Sequence, residues 1–333
     1  MPAFMPDLNI YVATFLGLGF LVFFGDMLVQ GAAQLGRLFK FSQVFMGVVV
    51  VGLGTSLPEI MTALMAVLKH QPGIATGNVV GSNIANILLI LGTGLVLFGR
   101  QGMGFGAARM DYGAMVLATV LLLICAAVWG EVAFWQGGVL LLFLVVVLYM
   151  LMHQGKQTFT PPPEEAALPE KGALMLFGKT AMALVGLWLG SVWLVDGASG
   201  IAIAFGLPPA VVGLSVVALG TSLPELAATF SAYRAGHGEM ILGNVLGSNI
   251  FNILAALGAA ALMAPLDLAS LWPSLGVVAL SSVVILPLFV WSTPPAFLSP
   301  SFLSARVLSY LSPRFIGLLF LGSYIFYIYC VYR

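Results

Sequence analysis

Charged side chains are scarce in this sequence, and so are the residues that build disulfide frameworks and metal clusters. Only 7% of the 333 residues are charged, against roughly 25% in ordinary soluble domains. The 12 basic and 12 acidic residues cancel, so no net charge points to a nucleic acid or an acidic partner. The two cysteines, Cys125 and Cys330, lie in apolar segments, which argues against a disulfide framework. No nucleophile–base pair or metal-ligand cluster is evident, so an enzyme is not expected.

Long apolar segments follow one another along the whole chain. Hydrophobic residues make up 61% of the sequence, and a bilayer crossing needs about 20 of them in succession. The pattern predicts an all-α polytopic membrane protein with ten transmembrane helices, the first expected to be a retained span and not a cleaved leader. The predicted spans cover residues 8–36, 42–69, 73–98, 110–129, 132–153, 173–204, 208–234, 240–263, 271–291 and 313–332.

One polar, proline-rich stretch divides these spans into two groups of five. Residues 154–172 have the composition of a solvated linker and are too few for a regulatory domain. Ten of the twelve lysines and arginines fall on the linker's side of the predicted topology, and only Lys69 and Arg333 fall on the other. The positive-inside rule therefore predicts a cytoplasmic linker, with both termini outside.

The two groups of spans repeat each other at a constant offset of 166 residues. The hexapeptide GTSLPE stands at 54–59 and again at 220–225, within the motif blocks 52–59 and 218–225. GNVVGSNIANIL at 77–88 faces GNVLGSNIFNIL at 243–254 with only two differences. Chance similarity between apolar helices does not match polar motifs letter for letter. We interpret residues 1–153 and 173–333 as two copies of a five-helix unit.

An odd number of spans per unit has a geometric consequence. The second unit starts on the opposite side of the membrane, so the two copies are inverted about an axis in the membrane plane. Inverted repeats with helices interrupted at matching positions are typical of secondary transporters, whose site lies near the midplane where the repeats meet. The predicted fold is therefore two inverted five-helix repeats with broken helices at the midplane.

The GTSLPE motif predicts a broken helix. Pro58 and Pro224 each remove a backbone donor and clash with the preceding turn. Carbonyls freed by such a break are tolerated in a membrane only where protein, an ion or cavity water meets them. A structural alternative is a capping box, in which Ser56 and Glu59 simply restart the helix. A glutamine would cap without the cost of roughly 2.5 kcal/mol or more for a charge at mid-membrane, which favours a functional role.

The polar groups of both motifs predict one cation site made of oxygen ligands. Each GTSLPE copy offers two hydroxyls, a carboxylate and the carbonyls of the break. Each copy of the GNV motif, at 77–88 and 243–254, adds a serine and an asparagine four residues apart on one helix face. The glycines of the motif are explained by close helix packing. Hard cations such as Ca²⁺ and Na⁺ prefer these ligands, and two carboxylates match one Ca²⁺ or two monovalent ions. The predicted ligands are Thr55, Ser56, Glu59, Ser82, Asn86, Thr221, Ser222, Glu225, Ser248 and Asn252.

Two further carboxylates lie within predicted spans. Asp26 and Asp196 belong to the first and sixth spans, and the repeat does not match them, because Asp196 faces Gln30. We expect a structural or gating role for them and not a ligand role. The three histidines lie at span ends, so a histidine proton relay is not expected.

The paired GTSLPE and GNVxGSNIxNIL blocks resemble the α-repeats of the cation/Ca²⁺ exchanger superfamily, in particular its bacterial and archaeal Na⁺/Ca²⁺ exchanger branch. The resemblance covers most of the chain from Leu28 to the eighth span. It implies a core of the second, third, seventh and eighth spans, across which the first and sixth slide to alternate access. It implies the ten ligands above and adds backbone carbonyls near Gly52 and Ala218. Some family members have aspartate at Asn86 or Asn252, which bears on how many Na⁺ ions are exchanged and on any K⁺ co-transport.

These observations lead to the hypothesis of a Ca²⁺/Na⁺ antiporter in a prokaryotic cytoplasmic (inner) membrane, with both ions competing for a site built on Glu59 and Glu225. No cofactor is expected. The expected partners are inorganic cations and the lipid bilayer, with no nucleic acid and a monomer sufficient. A first alternative keeps the fold and replaces Na⁺ by H⁺, which would protonate the glutamates. A second is a passive cation channel, which inverted repeats and a charge-paired, closed site disfavour.

Overall fold

The computed structural model describes residues 9–100, 103–159, 172–204, 220–290 and 312–331. Most of these residues are helical, and the strands among them are two short ones, β1 (Glu131–Val132) and β2 (Leu266–Asp267). The helices are α1 (Ile10–Phe39), α2 (Gln43–Thr55), α3 (Leu57–Leu68), α4 (Pro72–Phe98), α5 (Arg109–Val128), α6 (Phe134–Gln157), α7 (Ala173–Ala204), α8 (Leu223–Arg234), α9 (Gly238–Ala261), α10 (Trp272–Val284), α11 (Leu286–Val290) and α12 (Pro313–Val331).

Most of these helices are long and apolar enough to cross a membrane. Eight candidate spans are found in the described part of the chain, and the bent pair of α2 and α3 makes a ninth. Predicted span 73–98 is Pro72–Phe98, and predicted span 313–332 is Pro313–Val331. The seventh predicted span, 208–234, is described only from residue 220, where α8 forms its second half. The chain is an all-helical polytopic membrane protein.

Helices α4 and α9 form the centre of the bundle. In α9, 94% of the most apolar stretch is buried, and in α4 78%, against 17–44% for the other six long spans. These two helices carry the GNV motifs, whose small residues allow neighbouring backbones to approach closely. On the outer helices, apolar side chains such as Phe15, Leu142 and Leu174 are exposed, as contact with lipid requires.

Glycines bring α9 against α2. A Cβ atom on Gly243 would lie 2.8 Å from the Cα atom of Gly47, and a Cβ atom on Gly247 would lie 2.8 Å from the Cα atom of Val48. Side chains cannot approach a backbone so closely, so this contact requires glycine, as the packing explanation expects. By the 166-residue offset, the equivalent contact of the first GNV motif would involve residues 213 and 214, which lie outside the described residues.

Helices α1 and α7, the first and sixth predicted spans, lie side by side. Gly17 and Gly190 allow the two backbones to meet directly. Next to them the rings of Phe20 and Trp193 pack with their centroids 4.6 Å apart. Each helix of this pair carries one of the two further intramembrane carboxylates.

The connections between helices gather on two faces of the bundle. On one face, the backbone N–H of Ser42 donates to the carbonyl of Gly155 (2.9 Å), and Arg100 donates to the carbonyl of Leu288 (3.2 Å). On the other face, β1 pairs with β2 in antiparallel fashion, and the start of α4 contacts β2. We call these the arginine face and the strand face. Helix α5, with 20 residues, runs from the first to the second.

Candidate cation site

The first GTSLPE copy forms a bent helix pair. Helix α2 ends at Thr55 and α3 begins at Leu57, with an angle of 41° between them. Pro58 lies in the first turn of α3, where a helix tolerates the missing backbone donor. The capping-box alternative is not formed, because the side chain of Ser56 makes no capping hydrogen bond. The hydroxyl of Ser56 points to the second copy instead.

The second GTSLPE copy repeats the downstream half of this geometry. Helix α8 begins at Leu223, Pro224 lies in its first turn, and the side chain of Ser222 makes no capping hydrogen bond. Ser222 and Glu225 expose only 3% and 1% of their surface. Ala218, whose carbonyl is a predicted ligand, lies outside the described residues.

Polar groups from the two copies meet at the carboxylate of Glu225. Ser56 Oγ donates to Glu225 Oε1 at 3.5 Å, across 169 residues of sequence. The hydroxyls of Thr55 and Ser248 also lie beside this carboxylate. Ser248 Oγ donates in turn to the carbonyl of Gly52 at 3.4 Å. Predicted ligands on α2, α8 and α9, together with Ser56 at the helix break, thus form one buried cluster.

The two glutamates face each other inside this cluster. Glu59 and Glu225 each expose 1% of their surface, and their charges are close enough to interact directly. In both, Oε2 has no hydrogen-bond partner among the described residues. Two buried carboxylates are costly unless a positive charge meets them. No cluster of three His, Cys, Asp or Glu side chains occurs in the described chain. The hydroxyls of Thr55, Ser56 and Ser248 are the uncharged oxygens beside Glu225.

The helices that carry the GNV asparagines contact the helices that carry the glutamates crosswise. The part of α4 that holds Asn86 contacts α8, which carries Glu225, and the part of α9 that holds Asn252 contacts α3, which carries Glu59. Asn86 Nδ2 donates to Asn249 Oδ1 at 3.3 Å, which leaves Asn86 Oδ1 for another partner. Neither amide atom of the fully buried Asn252 has a partner among the described residues. Both asparagines can offer an oxygen to a cation.

Ser82 and Thr221 complete the predicted set of ligands. Ser82 is buried on α4, one turn before Asn86. Thr221 is half-buried and borders a cavity together with Thr55. The described chain therefore brings hydroxyls of both GTSLPE copies to one opening.

This cavity connects the cluster to the strand face. It has a volume of about 840 Å³ and lies between α3 and α7. Thr55 and Thr221 border it at one end, and Lys69 and Gln71 border it at the other. Asp196 lines the same cavity. The cavity therefore has one carboxylate in its wall and reaches hydroxyls of both copies.

Asp26 lies where α1 closes against α8. Its carboxylate is 3.6 Å from the guanidinium of Arg234, at the end of α8 on the arginine face. One residue earlier in the chain, a Cβ atom on Gly25 would lie 2.8 Å from Ser231 Oγ. The α1–α8 contact is therefore tight on the side opposite to the cavity.

Sequence reasoning missed two features of the site. Residues 47–52, 85–91 and 252–257 form π-helical turns, which often occur at functional sites. It also missed Asn78 and Asn244, whose amides donate to the backbone carbonyls of Glu59 (3.2 Å) and Glu225 (3.1 Å). The available signal was their identical place in both copies, directly after the first glycine of each GNV motif.

Comparison with known proteins identifies the family of the chain. The family model described as sodium/calcium exchanger protein matches residues 9–153 and 175–333. The chain belongs to the sodium/calcium exchanger family. It is 30% identical over 298 residues to the sodium/calcium exchanger MaX1 of Methanosarcina acetivorans, covering 78% of this chain and 85% of that protein. It is 35% identical over 263 residues to the inner membrane protein YrbG of Escherichia coli, covering 75% and 78%.

A solved structure extends the likeness to the fold. The sodium-calcium exchanger NCX_Mj, soaked with Na⁺ and without Ca²⁺, superposes with a TM-score of 0.76 at 29% identity. The match covers 96% of this chain and 97% of that one. MaX1 and NCX_Mj are exchangers, which are transporters and not enzymes.

Proposed function

We propose that the chain is a secondary active antiporter that exchanges Ca²⁺ for Na⁺ by alternating access. The observation that carries this proposal is the 3.5 Å contact of Ser56 Oγ with Glu225 Oε1, which joins the two copies beside both glutamates. The predicted ligands around it offer carboxylate, hydroxyl, amide and backbone oxygens, the ligand types that Ca²⁺ and Na⁺ prefer. The exchangers to which the chain is similar support the same pair of ions.

Exchange follows if both ions compete for one site. Two carboxylates balance one Ca²⁺ or two Na⁺, so either load neutralises Glu59 and Glu225. Without a cation, each buried charge costs roughly 2.5 kcal/mol or more inside the membrane, so the unloaded site resists a change of conformation. Movement of one ion is then coupled to the return of the other. Pro58 and Pro224 supply the helix breaks, and the carbonyls of Gly52 and Ala218 add backbone ligands.

We further propose ten transmembrane helices in two inverted five-helix repeats, 1–153 and 173–333, joined by the linker 154–172. Three features recur close to the 166-residue offset and support this arrangement. Helices begin directly after Ser56 and Ser222, π-helical turns cover 85–91 and 252–257, and Asn78 and Asn244 bind equivalent carbonyls. The grouping of the connections on two faces agrees with five crossings per unit.

The lysine and arginine distribution favours an orientation with the strand face outside. The proposal then places the arginine face and the linker in the cytoplasm of a prokaryote, in its inner membrane, with both termini outside. In this conformation the cavity leads to the external side, and the contact between Asp26 and Arg234 closes the cytoplasmic side. This assigns gating roles to Asp26 and Asp196. Inorganic cations and lipid are the proposed partners, with no cofactor and a monomer sufficient.

Uptake of radioactive Ca²⁺ into proteoliposomes tests this proposal. Vesicles loaded with Na⁺ and diluted into K⁺ medium should accumulate Ca²⁺, and uptake should stop when Na⁺ is equal on both sides. Uptake driven by a pH gradient and not by a Na⁺ gradient would instead identify an H⁺ antiporter. Conductance that needs no counter-ion would identify a channel, and either result would refute Na⁺ coupling.

A further inference from the structure

Asn244 sits at the junction of the two copies without being a predicted ligand. Its side chain is 1% exposed. Nδ2 donates to the carbonyl of Glu225 at 3.1 Å and to Thr229 Oγ1 at 3.2 Å, so the amide holds one full turn of α8. On its other side, Oδ1 lies 3.2 Å from Thr55 Oγ1, which belongs to the first copy.

The chemistry of these partners defines the orientation of the amide. A backbone carbonyl can only accept a hydrogen bond, so Nδ2 must face Glu225 and Oδ1 is left for Thr55. Thr55 must then donate its hydroxyl hydrogen to Asn244. Two other acceptors lie near this hydroxyl, the carbonyl of Gly52 at 3.4 Å and the carboxylate of Glu225.

The direction of the Thr55 hydrogen matters for cation binding. A hydroxyl can coordinate a cation only with its oxygen lone pairs, so its hydrogen must point away from the ion. Thr55 lies beside the carboxylate of Glu225, where a cation is proposed to bind. Asn244 Oδ1 competes with that carboxylate for the hydrogen and can hold it when a cation occupies the oxygen lone pairs of Thr55. Nδ2 holds the turn of α8 that carries Glu225.

Asn78 makes the equivalent bond in the first copy. Its Nδ2 donates to the carbonyl of Glu59 at 3.2 Å, but its side chain is only half-buried. The same residue type therefore ties the backbone of each glutamate to the neighbouring core helix.

We propose that Asn244, and more weakly Asn78, are positioning residues that set the cation affinity of the site: Asn244 directs the hydroxyl of Thr55 and fixes the backbone of Glu225, and Asn78 fixes that of Glu59. This inference rests on the proposed cation site. It does not depend on which ion drives transport.

Ca²⁺ binding to the purified protein tests the inference without any transport step. The dissociation constant is measured by titration calorimetry and by the rise in Tm with Ca²⁺ concentration. Asn244→Ala should raise the Kd for Ca²⁺ about five- to tenfold, the equivalent of one net hydrogen bond of about 1 kcal/mol. Asn78→Ala should raise it less, about threefold, because its side chain is partly solvated. The matched control is Asn83→Ala, which removes a buried amide whose hydrogen bond, among the described residues, stays within α4, to the carbonyl of Val79; it should leave the Kd unchanged.

A double-mutant cycle separates positioning from a loss of packing. If Asn244 acts partly through Thr55, then Asn244→Ala should raise the Kd less in a Thr55→Val background than in the wild type, because only its hold on the backbone of Glu225 is left to lose. A full effect in that background, or a wild-type Kd in Asn244→Ala, would overturn the inference. If Asn244→Ala does not fold, Asn244→Leu keeps a similarly branched side chain without any of the three hydrogen bonds and carries the same expectation. No Ca²⁺ binding by the wild type would refute the proposed function itself, and the two failures are thereby distinguished.

Discussion

At the scale of single residues, the account depends on two carboxylates that would be destabilising anywhere else in the bundle. Glu59→Gln or Glu225→Gln keeps the shape of the side chain and removes its charge. Because a contact to a charged group contributes about 1.5–3 kcal/mol, Ca²⁺ transport should fall by about 10- to 100-fold or more. The measurement is the initial rate of Na⁺-driven Ca²⁺ uptake into proteoliposomes.

The exposed Glu131 on β1 provides the matched control for these two substitutions. Glu131→Gln should transport at the wild-type rate, and all three variants should elute from size-exclusion chromatography as the wild type does. Wild-type rates in both Glu59→Gln and Glu225→Gln would refute the assignment of the site.

Residues could be predicted from the sequence where the membrane makes them costly. A glutamate in an apolar run stands out, and its repetition in GTSLPE excludes accident. Asparagine is different, since its amide can cap, bind a carbonyl or coordinate an ion at similar cost. Only the contacts of the folded chain distinguish Asn244, which binds the backbone of Glu225, from Asn252, whose amide has no partner among the described residues.

At the scale of helices, the ion pair between α1 and α8 is expected to hold the cytoplasmic side closed. Asp26→Asn should raise the fraction of molecules that are open on this side by up to about fivefold, because a partly exposed ion pair contributes about 0.2–1 kcal/mol. Ser231 lies in the same contact and is 3% exposed. With Cys125 and Cys330 replaced, Ser231→Cys reports opening through its rate of labelling by a membrane-impermeant thiol reagent applied from the cytoplasmic side.

Labelling of Ser231→Cys should be faster in Asp26→Asn and unchanged in Lys179→Gln, which alters a basic side chain of α7 instead. An equal labelling rate with and without Asp26 would show that this ion pair does not gate the cytoplasmic side.

The lengths of the helices could be predicted, but not their internal geometry. Apolar runs define a crossing, so predicted span 73–98 agrees with Pro72–Phe98 within one residue. The π-helical turn at 85–91 inside this helix left no comparable signal. Each backbone hydrogen bond of a π-helical turn reaches one residue farther along the chain than in an α-helix, and packing of this turn against α8 and α9 decides which of the two forms.

At the scale of the whole molecule, the internal repeat explains how one site can be assembled from two distant segments. The 166-residue offset was visible in the sequence, and it predicts which motifs correspond. It could not predict the conformation, because two similar halves can close on either side of the site between them. The site borders a cavity at the strand face, whereas α1 packs on α8 at the arginine face. The two halves have similar motifs, so this difference between the faces arises only in the folded arrangement.

The proposed exchange requires Ca²⁺ and Na⁺ to share one site built on Glu59 and Glu225. Calorimetric titration of the purified protein with Ca²⁺ at increasing Na⁺ concentrations, with K⁺ keeping the ionic strength constant, tests it most directly. The apparent Kd for Ca²⁺ should rise steadily with Na⁺, while the number of bound Ca²⁺ stays the same. An apparent Kd for Ca²⁺ that does not depend on Na⁺ would contradict it.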